Sequence, residues 1–168
     1  MNIYRRHPSR VTSWSAGALA AIPPTVDEVE VWFALPSEGS DEQVWEALNA
    51  ERVEDDVVAL RGVPVLAEDL AYDDRVQFIQ SAEGALVATR LVAAGEFATF
   101  RVWLGDADPS VVTWRAVAER LAKLGCLIDV YSEHLIALAV HRSRAGMARD
   151  ALAALAHGTE WEETRSGD

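Results

Sequence analysis

Hydrophobic and polar residues alternate along the first half of the chain. In residues 29–35, Val29, Val31, Phe33 and Leu35 fall at every second position, which is the pattern of a half-buried strand. Residues 44–53 also allow a helix, but the turn residues on both sides favour a strand. The shorter strands predicted after them cover residues 57–60, 75–79 and 85–92.

Turn residues between these strands predict hairpins. The segment SAEG at 81–84 places Gly84 at a turn between two predicted strands. Three consecutive acidic residues at 54–56 suit the tip of another hairpin. We therefore predict that residues 29–92 form a small, mostly antiparallel β-sheet or a barrel-like arrangement.

The second half of the chain has longer, helical periods between its strands. Residues 97–104 predict a strand. Asp108 followed by Pro109 is typical of a helix start, with Asp as the N-cap and Pro at the first helical position. Gly125 is expected to end this helix. Its apolar stripe consists of Trp114, Val117, Ala118, Leu121 and Leu124.

Two strands, a helix and a last strand complete the prediction. The strands cover residues 126–131 and 135–140, Ser143 can cap the second helix, and residues 159–163 alternate as the final strand. The order strand, helix, strand, strand, helix, strand is that of a split βαβ, or ferredoxin-like, unit. The predicted fold class is α+β, with a β-rich N-terminal half and a ferredoxin-like C-terminal half.

Composition shifts divide the chain into three predicted parts: an N-terminal arm at residues 1–24, a small antiparallel β-rich half at 25–95, and the α+β half at 96–168. The arm loosely resembles a signal peptide, but its apolar stretch is short and runs into two prolines. We interpret it as an uncleaved arm that docks on the body through Trp14 and Leu19.

The charge balance narrows the classes of partner. There are 27 acidic residues against 15 basic ones, a formal net charge of −12. Such a charge repels nucleic-acid phosphates and anionic membranes and favours a basic protein as partner. No apolar run is long enough for a membrane-spanning helix. The single cysteine fits a reducing compartment, and we expect the protein to be cytoplasmic.

Cys126 and His134 lie close in sequence and raise the question of a thiol–imidazole site. Cys126 follows the expected end of a helix and opens a strand, so we predict a buried hydrophobe there rather than a nucleophile. The four histidines show no metal-pair spacing, and the phosphate-loop and nucleophile-elbow motifs do not occur. We predict no catalytic residue, metal or cofactor, and whether the protein is an enzyme stays open.

Two groups of side chains are candidates for binding. Acidic residues are concentrated between residues 38 and 56, and they can steer a basic partner by electrostatic attraction. Trp residues are favoured at the centres of interfaces, and a Thr–Arg pair on a strand can bind an anion. The predicted acidic docking surface consists of Glu46, Glu51, Glu54, Asp55 and Asp56. The other candidate binding residues are Trp32, Trp45, Asp74, Thr99, Arg101 and Trp103.

Several longer segments resemble a known bacterial family, domain of unknown function 4265. They are VWFAL, VWEALNAERV, GVPVLAEDLAYDDRVQF, AAGEFATFRVWL, LAKLGC and GTEWEE, and together they span residues 28–164. The chain differs from the family pattern at Asp73, where Gly is usual, and at Ala94, where Ser is usual. The resemblance implies the same two-part layout and no established activity.

Three functional hypotheses follow. The favoured one is a non-enzymatic α+β protein that binds a basic protein partner, in the manner of an inhibitor or immunity protein. The alternative is a small-molecule-binding protein or modest enzyme, whose pocket between the two halves is lined by Trp32, Asp74, Arg101 and Trp103. A third possibility, compatible with either, is a homodimer formed through an exposed sheet face.

Overall fold

The computed structural model describes residues 1–37, 39, 41–105, 107–108, 110, 112–155 and 157–165. These residues form a mixed α+β structure with two six-stranded sheets. The strands are β1 (Asn2–Arg6), β2 (Thr12–Ser15), β3 (Ala18–Ala21), β4 (Glu28–Ala34), β5 (Gln43–Arg52), β6 (Val57–Leu60), β7 (Arg75–Gln80), β8 (Leu86–Ala93), β9 (Phe97–Trp103), β10 (Leu127–Val130), β11 (Leu135–His141) and β12 (Glu160–Arg165). The helices are α1 (Trp114–Lys123) and α2 (Ala145–Ala153), the second preceded by a short 3-10 turn at Arg142–Arg144.

The first sheet contains the β-rich half and has the strand order β1-β5-β4-β8-β7-β6. Most neighbours are antiparallel, as predicted, but β1 runs parallel to β5, and β8 runs parallel to β4. The hairpin predicted around Gly84 joins β7 and β8, and Gly84 adopts a left-handed φ of 88°. The ambiguous segment 44–53 is part of strand β5.

This first sheet is strongly curled. Strand β5 pairs with β4 along most of its length and also pairs with β6 near its end, so the sheet bends back on itself. Strands β4 and β8 meet through only two register pairs, Val31–Leu86 and Trp32–Val87. The prediction of a barrel-like half is therefore correct only in the coarser sense, because the sheet is curled and the barrel is not closed.

The second sheet has the strand order β12-β9-β11-β10-β2-β3, and every neighbouring pair in it is antiparallel. Helices α1 and α2 pack on one face of this sheet and bury Phe100, Val102 and Leu138. The other face of the sheet is directed at the connection between β6 and β7, where Val63 and Val65 pack against Ala137 and Ala139.

The predicted start of helix α1 is wrong. The helix begins at Trp114, and the hydroxyl of Thr113 caps it by accepting the backbone N–H of Ala116. Asp108 instead caps a local turn, in which its carboxylate accepts the backbone N–H and the hydroxyl of Ser110. Pro109, the predicted first helical residue, lies outside the described residues. The predicted apolar stripe does face the sheet, since Val117 and Leu121 are buried.

The first 24 residues contribute strands to both sheets. Strand β1 extends the curled sheet beside β5, and the β2–β3 hairpin extends the second sheet beside β10. Trp14 and Leu19, the residues expected to dock this segment, pack against the core beneath the helices. The segment therefore connects the two sheets.

Cys126 lies in the core between the second sheet and its helices, as predicted. Burial raises the pKa of its thiol to about 11, against a weaker opposing effect of Arg144. A thiol with that pKa stays protonated at neutral pH and is a poor nucleophile. His134 lies in the exposed β10–β11 turn, where its ring faces Trp103 at a centroid distance of 6.1 Å.

A largely buried cluster of three ionisable residues joins the two sheets. His7, in the connection from β1 to β2, lies between Glu46 of β5 and Asp129 of β10. Its Nε2 is 2.8 Å from Glu46 Oε1, and its Nδ1 is 2.7 Å from Asp129 Oδ2. We call this cluster the His7 clamp. Each carboxylate belongs to a different sheet, so the imidazole bridges them.

Glu46 also holds the connection between β6 and β7. Its two carboxylate oxygens accept the backbone N–H groups of Val65, Leu66 and Ala67 at distances of 2.6 to 3.2 Å. These bonds satisfy donors that are otherwise buried, and together with His7 they lower the pKa of Glu46 although burial opposes them. The clamp thereby fixes residues 65–67 against the second sheet.

Candidate functional site

An open cleft lies beside strands β9 and β12, on the side of the second sheet that faces the β6–β7 connection. Its volume is about 350 Å³. The lining combines apolar surface with one cation and two carboxylates. The lining residues are Val65, Leu66, Arg101, Trp103, Leu135, Glu160, Trp161 and Glu162. We call it the Trp103 cleft.

Strand register explains why most of these side chains converge. Trp103 of β9 lies directly opposite Leu135 on one neighbouring strand and Glu160 on the other. Arg101, two positions earlier on the same strand face, lies opposite Glu162. The remaining wall comes from Val65 and Leu66 of the segment that the His7 clamp holds in place.

The cleft leaves two large aromatic side chains accessible. Trp103 is 46% exposed, and its indole lies against Gly105, where an added Cβ would overlap the ring. Trp161 is 36% exposed and reaches the cleft from the edge strand β12, while its ring lies 6.1 Å from that of Phe100. Exposed tryptophan surface beside a cleft is a feature of binding sites.

Arg101 makes its polar contacts with other parts of the protein. Its Nη1 donates to the backbone carbonyl of Val65, and its Nη2 donates to Glu68 at 3.1 Å. Its Nε lies 2.9 Å from Glu162 Oε1 in an ion pair, and this buried nitrogen makes no hydrogen bond among the described residues. The guanidinium is therefore paired with two carboxylates, Glu68 and Glu162, and this pairing disfavours an added anion.

The charged groups of the cleft carry an excess of negative charge. Arg101 supplies one positive charge, while Glu68, Glu160 and Glu162 supply three negative ones. The side chains of Glu68 and Glu162 are 69% and 62% exposed, so they face solvent at the rim. An apolar floor with an acidic rim suits a ligand that has an apolar body and a cationic end.

Of the predicted site residues, only Arg101 and Trp103 share the cleft. Thr99 is buried, and its hydroxyl donates to the carbonyl of Leu70. Asp74 is also buried and accepts three hydrogen bonds, from the backbone N–H groups of Ala71 and Gly95 and from Arg165 Nη1. Each of these polar side chains has its partners within the fold.

Trp32 and Trp45 lie on the curled sheet, away from the cleft. Trp32 is buried beneath the guanidinium of Arg6, 4.9 Å from its ring, and makes an edge-on contact with Tyr4. Trp45 is partly buried on β5, and its indole Nε1 has no hydrogen-bond partner among the described residues. The structure therefore does not gather Trp32, Asp74, Arg101 and Trp103 into one pocket.

The predicted acidic docking surface loses Glu46, because that residue is completely buried in the His7 clamp. The prediction fails there because the partners of Glu46 are distant in sequence. Glu51 is half-buried and pairs with Arg61 at 2.8 Å. Glu54, Asp55 and Asp56 are exposed at the tip of the β5–β6 hairpin, as their position in sequence suggested.

Other residues of the cleft, Leu66, Glu160 and Trp161 among them, were not predicted as site residues. The alternation TEWEE at 159–163 did predict a final strand, but sequence does not show that this strand pairs with β9 and places Glu160 beside Trp103. His7 and Asp129 were missed for the same reason, since 122 residues separate them.

The structure also bears on two other properties, which are metal binding and membrane spanning. No group of three or more His, Cys, Asp or Glu side chains in the described residues is arranged to hold a metal ion. Within the same part of the chain, no helix is long and apolar enough to cross a membrane.

The fold and the cleft define a two-sheet α+β protein with an open aromatic site. Residues 46–163 match the model of the family described as domain of unknown function (DUF4265), and the chain belongs to that family. This confirms the resemblance seen in the sequence segments. No curated protein matches the chain.

One solved structure has a similar fold. It is described as a novel crystal structure of a hypothetical protein from Neisseria gonorrhoeae. The TM-score is 0.63 at 15% sequence identity, and the alignment covers 84% of this chain and 96% of the other. At this identity the similarity concerns the fold.

Proposed function

We propose that this protein is a non-enzymatic binding module that docks a basic segment of a partner protein in the Trp103 cleft, in the manner of an inhibitor or immunity protein. The observation that carries the proposal is the exposed indole of Trp103 beside a rim of three carboxylates. A cationic side chain can stack on the indole while its charge meets the rim.

The charges of the whole chain support the same type of partner. The net charge of −12 attracts a basic protein over distances of a Debye length, about 8 Å at physiological salt. The exposed acids at 54–56 add to this field without belonging to the cleft. Long-range attraction would then bring the partner in, and the cleft would provide the short-range contact.

The predicted polar site residues have their partners inside the protein, and this favours binding over catalysis. Thr99 and Asp74 make their hydrogen bonds within the fold, and Arg101 donates to the carbonyl of Val65 and is paired with Glu68 and Glu162. A catalytic acid or base needs a free atom within reach of a substrate. The accessible chemistry of the cleft is instead aromatic surface and solvated carboxylate.

A calorimetric titration with a capped hexa-arginine peptide tests the proposal. We expect saturable binding that weakens as salt is raised, because rim charges are screened. Trp103→Ala should weaken binding about tenfold, since it removes the stacking surface. Ile79→Ala is the matched control, because Ile79 is a large exposed hydrophobe on β7, outside the cleft lining.

A second pair of variants separates the rim from the general acidity of the chain. Glu160→Gln and Asp55→Asn each remove one exposed negative charge, but only Glu160 lines the cleft. We expect the first to weaken peptide binding by about threefold and the second to have less effect. Equal effects of both variants, together with an unchanged affinity of Trp103→Ala, would reject the cleft as the docking site.

We also propose that the C-terminal half is a ferredoxin-like unit and that the protein acts in the cytoplasm. The strand order β12-β9-β11-β10, with α1 after the first of these strands in sequence and α2 before the last, supports the first part. The same proposal includes the predicted boundaries, with the N-terminal arm ending at residue 24 and the C-terminal half beginning after residue 95. Strands β2 and β3 would then be an extension of that unit's sheet.

A further inference from the structure

Strand β12 forms one edge of the second sheet, beside the Trp103 cleft. It pairs with β9 on one side, and no strand among the described residues pairs with its other side. Its first residues, Glu160, Trp161 and Glu162, are exposed, and all of them also line the cleft. The cleft therefore continues to an open sheet edge, where main-chain hydrogen-bonding groups are left without a strand partner.

The main chain of this edge has unused donors and acceptors. In an antiparallel pair, residues that bond to the neighbouring strand alternate with residues whose N–H and C=O groups point away from it. Every second residue within 160–163 therefore presents these groups to the outside, and no other described part of the chain bonds to them. The carbonyl of Thr164 accepts the backbone N–H of Asp69, so the free stretch ends there.

The side chains along this stretch alternate in character. Glu160 and Glu162 lie on the cleft face, and Trp161 between them has its ring on the side of the helices. Glu160 is exposed and pairs with no cation in the described part of the chain. Glu162 shares the single guanidinium of Arg101 with Glu68. The edge thus has acids at alternate positions, an indole between them and a surplus of negative charge.

We propose that the edge of β12 is a strand-addition site, at which an extended segment of the basic partner continues the second sheet. The proposal rests on the docking function assigned to the Trp103 cleft and specifies how the partner's segment binds there. The added strand bonds to the outward main-chain groups of residues 160–163, and its side chains opposite Glu160 and Glu162 are Lys or Arg. The residue between them, opposite Trp161, is apolar and covers the exposed part of the indole. The segment therefore has basic residues at every second position with apolar residues between them.

The glutamates at this edge determine which kind of strand can pair with it. Charged side chains on edge strands protect proteins from indiscriminate pairing, and like charges directly opposite each other are destabilising. Glu160 and Glu162 therefore exclude acidic strands, including β12 of a second copy of this chain, and they admit a basic strand. The opposite edge of the sheet, β3, contains only alanine and leucine and has no charge to select a partner.

Calorimetric titration with a capped peptide of the sequence RVRVRV tests the alternation. Arginine and valine alternate in this peptide, as the proposed segment requires. The control peptide RRRVVV has the same composition and charge without the alternation. We expect the alternating peptide to bind about tenfold more tightly, because in an extended conformation only it places arginines opposite both glutamates. Equal affinities of the two peptides would overturn the proposed pattern.

N-methylation of the same peptide tests the main-chain bonds. Methylating the backbone nitrogens of the three arginines blocks one edge of the extended peptide, and methylating those of the three valines blocks the other edge, with charge and side chains unchanged. Only one edge of the peptide can face β12. We therefore expect one isomer to bind about tenfold more weakly than the parent peptide and the other to retain its affinity. Equal affinities of the two isomers would overturn strand addition.

Hydrogen exchange of the protein's own amides locates the added strand. In the saturated complex, alternate backbone amides within residues 160–163 should exchange more slowly, whereas those of β3 at the opposite edge should not change. Unchanged exchange in β12 would reject the proposal, and so would slow exchange at all four amides in the free protein, because the edge would then already be covered. If hexa-arginine still binds through Trp103 in either case, the docking function stands and only strand addition fails. If no basic peptide binds, both fail.

Discussion

Glu46 Oε1 lies 2.8 Å from His7 Nε2, although the two residues are 39 positions apart in sequence, and Glu46 is completely buried while the His7 side chain is 10% exposed. The contact ties the N-terminal segment to the centre of strand β5. Asp129 continues the link into the second sheet through the other ring nitrogen. Two buried carboxylates held by one imidazole are stable only as long as that imidazole is present and protonated.

Replacement of His7 should therefore cost far more stability than replacement of an exposed histidine. We expect His7→Ala to lower the free energy of unfolding by about 3–5 kcal/mol, because it leaves two buried carboxylates without their shared donor. His157→Ala should change it by less than about 0.5 kcal/mol, since His157 is exposed. Urea denaturation of the three proteins measures both effects, and a similar small loss for both variants would contradict the role of the clamp.

The same contact makes stability depend on pH at the alkaline side. Burial alone lowers the pKa of His7, but the hydrogen bonds and charges of Asp129 and Glu46 outweigh it and raise the pKa from 6.5 to about 9. The folded state thus binds the proton more tightly than the unfolded state. The stabilisation is complete below pH 6.5 and is lost as the pH rises through 9.

The size of this pH effect follows from the difference in pKa. A difference of about 2.5 units corresponds to about 3 kcal/mol of unfolding free energy lost between pH 6.5 and values above 9. Urea denaturation across that range measures it, with His7→Gln as the variant that lacks the titrating group. An ¹⁵N NMR titration of the His7 ring reports the pKa directly, and a midpoint near 6.5 would refute the prediction.

Local patterns in the sequence were sufficient to predict most of the elements. Strand β6 has the predicted bounds of 57–60, and the β7–β8 hairpin turns at Gly84 as expected, because alternation and turn residues are local signals. The start of helix α1 was misplaced because Asp108 and Thr113 are both good N-caps, and only the tertiary structure selects Thr113.

The sequence did not predict which strands pair when they are far apart along the chain. Strand β1 pairs with β5 about 40 residues away, which local patterns do not encode. Glutamate is usually a surface residue, so its type gives no sign of burial. Glu46 is buried here because His7 and the backbone of residues 65–67 supply hydrogen-bond donors to its carboxylate. Two of the eight residues that line the cleft were anticipated, because Arg101 and Trp103 share one strand, whereas Glu160 comes from another.

Two glycine substitutions should have opposite effects. A Cβ added at Gly95 would lie 2.8 Å from the backbone carbon of Asp73, and backbone cannot move aside as a side chain can. We expect Gly95→Ala to destabilise the protein by about 1–3 kcal/mol. Gly146 lies in helix α2 with open space around it, so Gly146→Ala should stabilise by about 0.5–1 kcal/mol. Thermal denaturation should place the two variants on opposite sides of the wild type, and a neutral Gly95→Ala would mean that the backbone there can shift.

Two adjacent carboxylates, Asp73 and Asp74, give the sharpest contrast between a structural and a dispensable acid. Asp74 is completely buried and holds Gly95 and Arg165 through its two oxygens. Asp74→Ala removes the only carboxylate that pairs with Arg165 among the described residues, and it leaves two backbone N–H groups without their acceptor. We expect a loss of about 3–5 kcal/mol in the free energy of unfolding.

Asp73 provides the matched comparison one residue away. Its side chain is 45% exposed and pairs with Arg61, a partly solvated contact worth less than about 1 kcal/mol. Its φ of 67° lies in the left-handed region, which glycine adopts without strain, so Asp73→Gly exchanges a weak ion pair for a relaxed backbone. We expect its stability to stay within about 1 kcal/mol of the wild type in the same denaturation experiment. Comparable losses for both variants would mean that burial does not distinguish these two acids, and the structural role assigned to Asp74 would have to be abandoned.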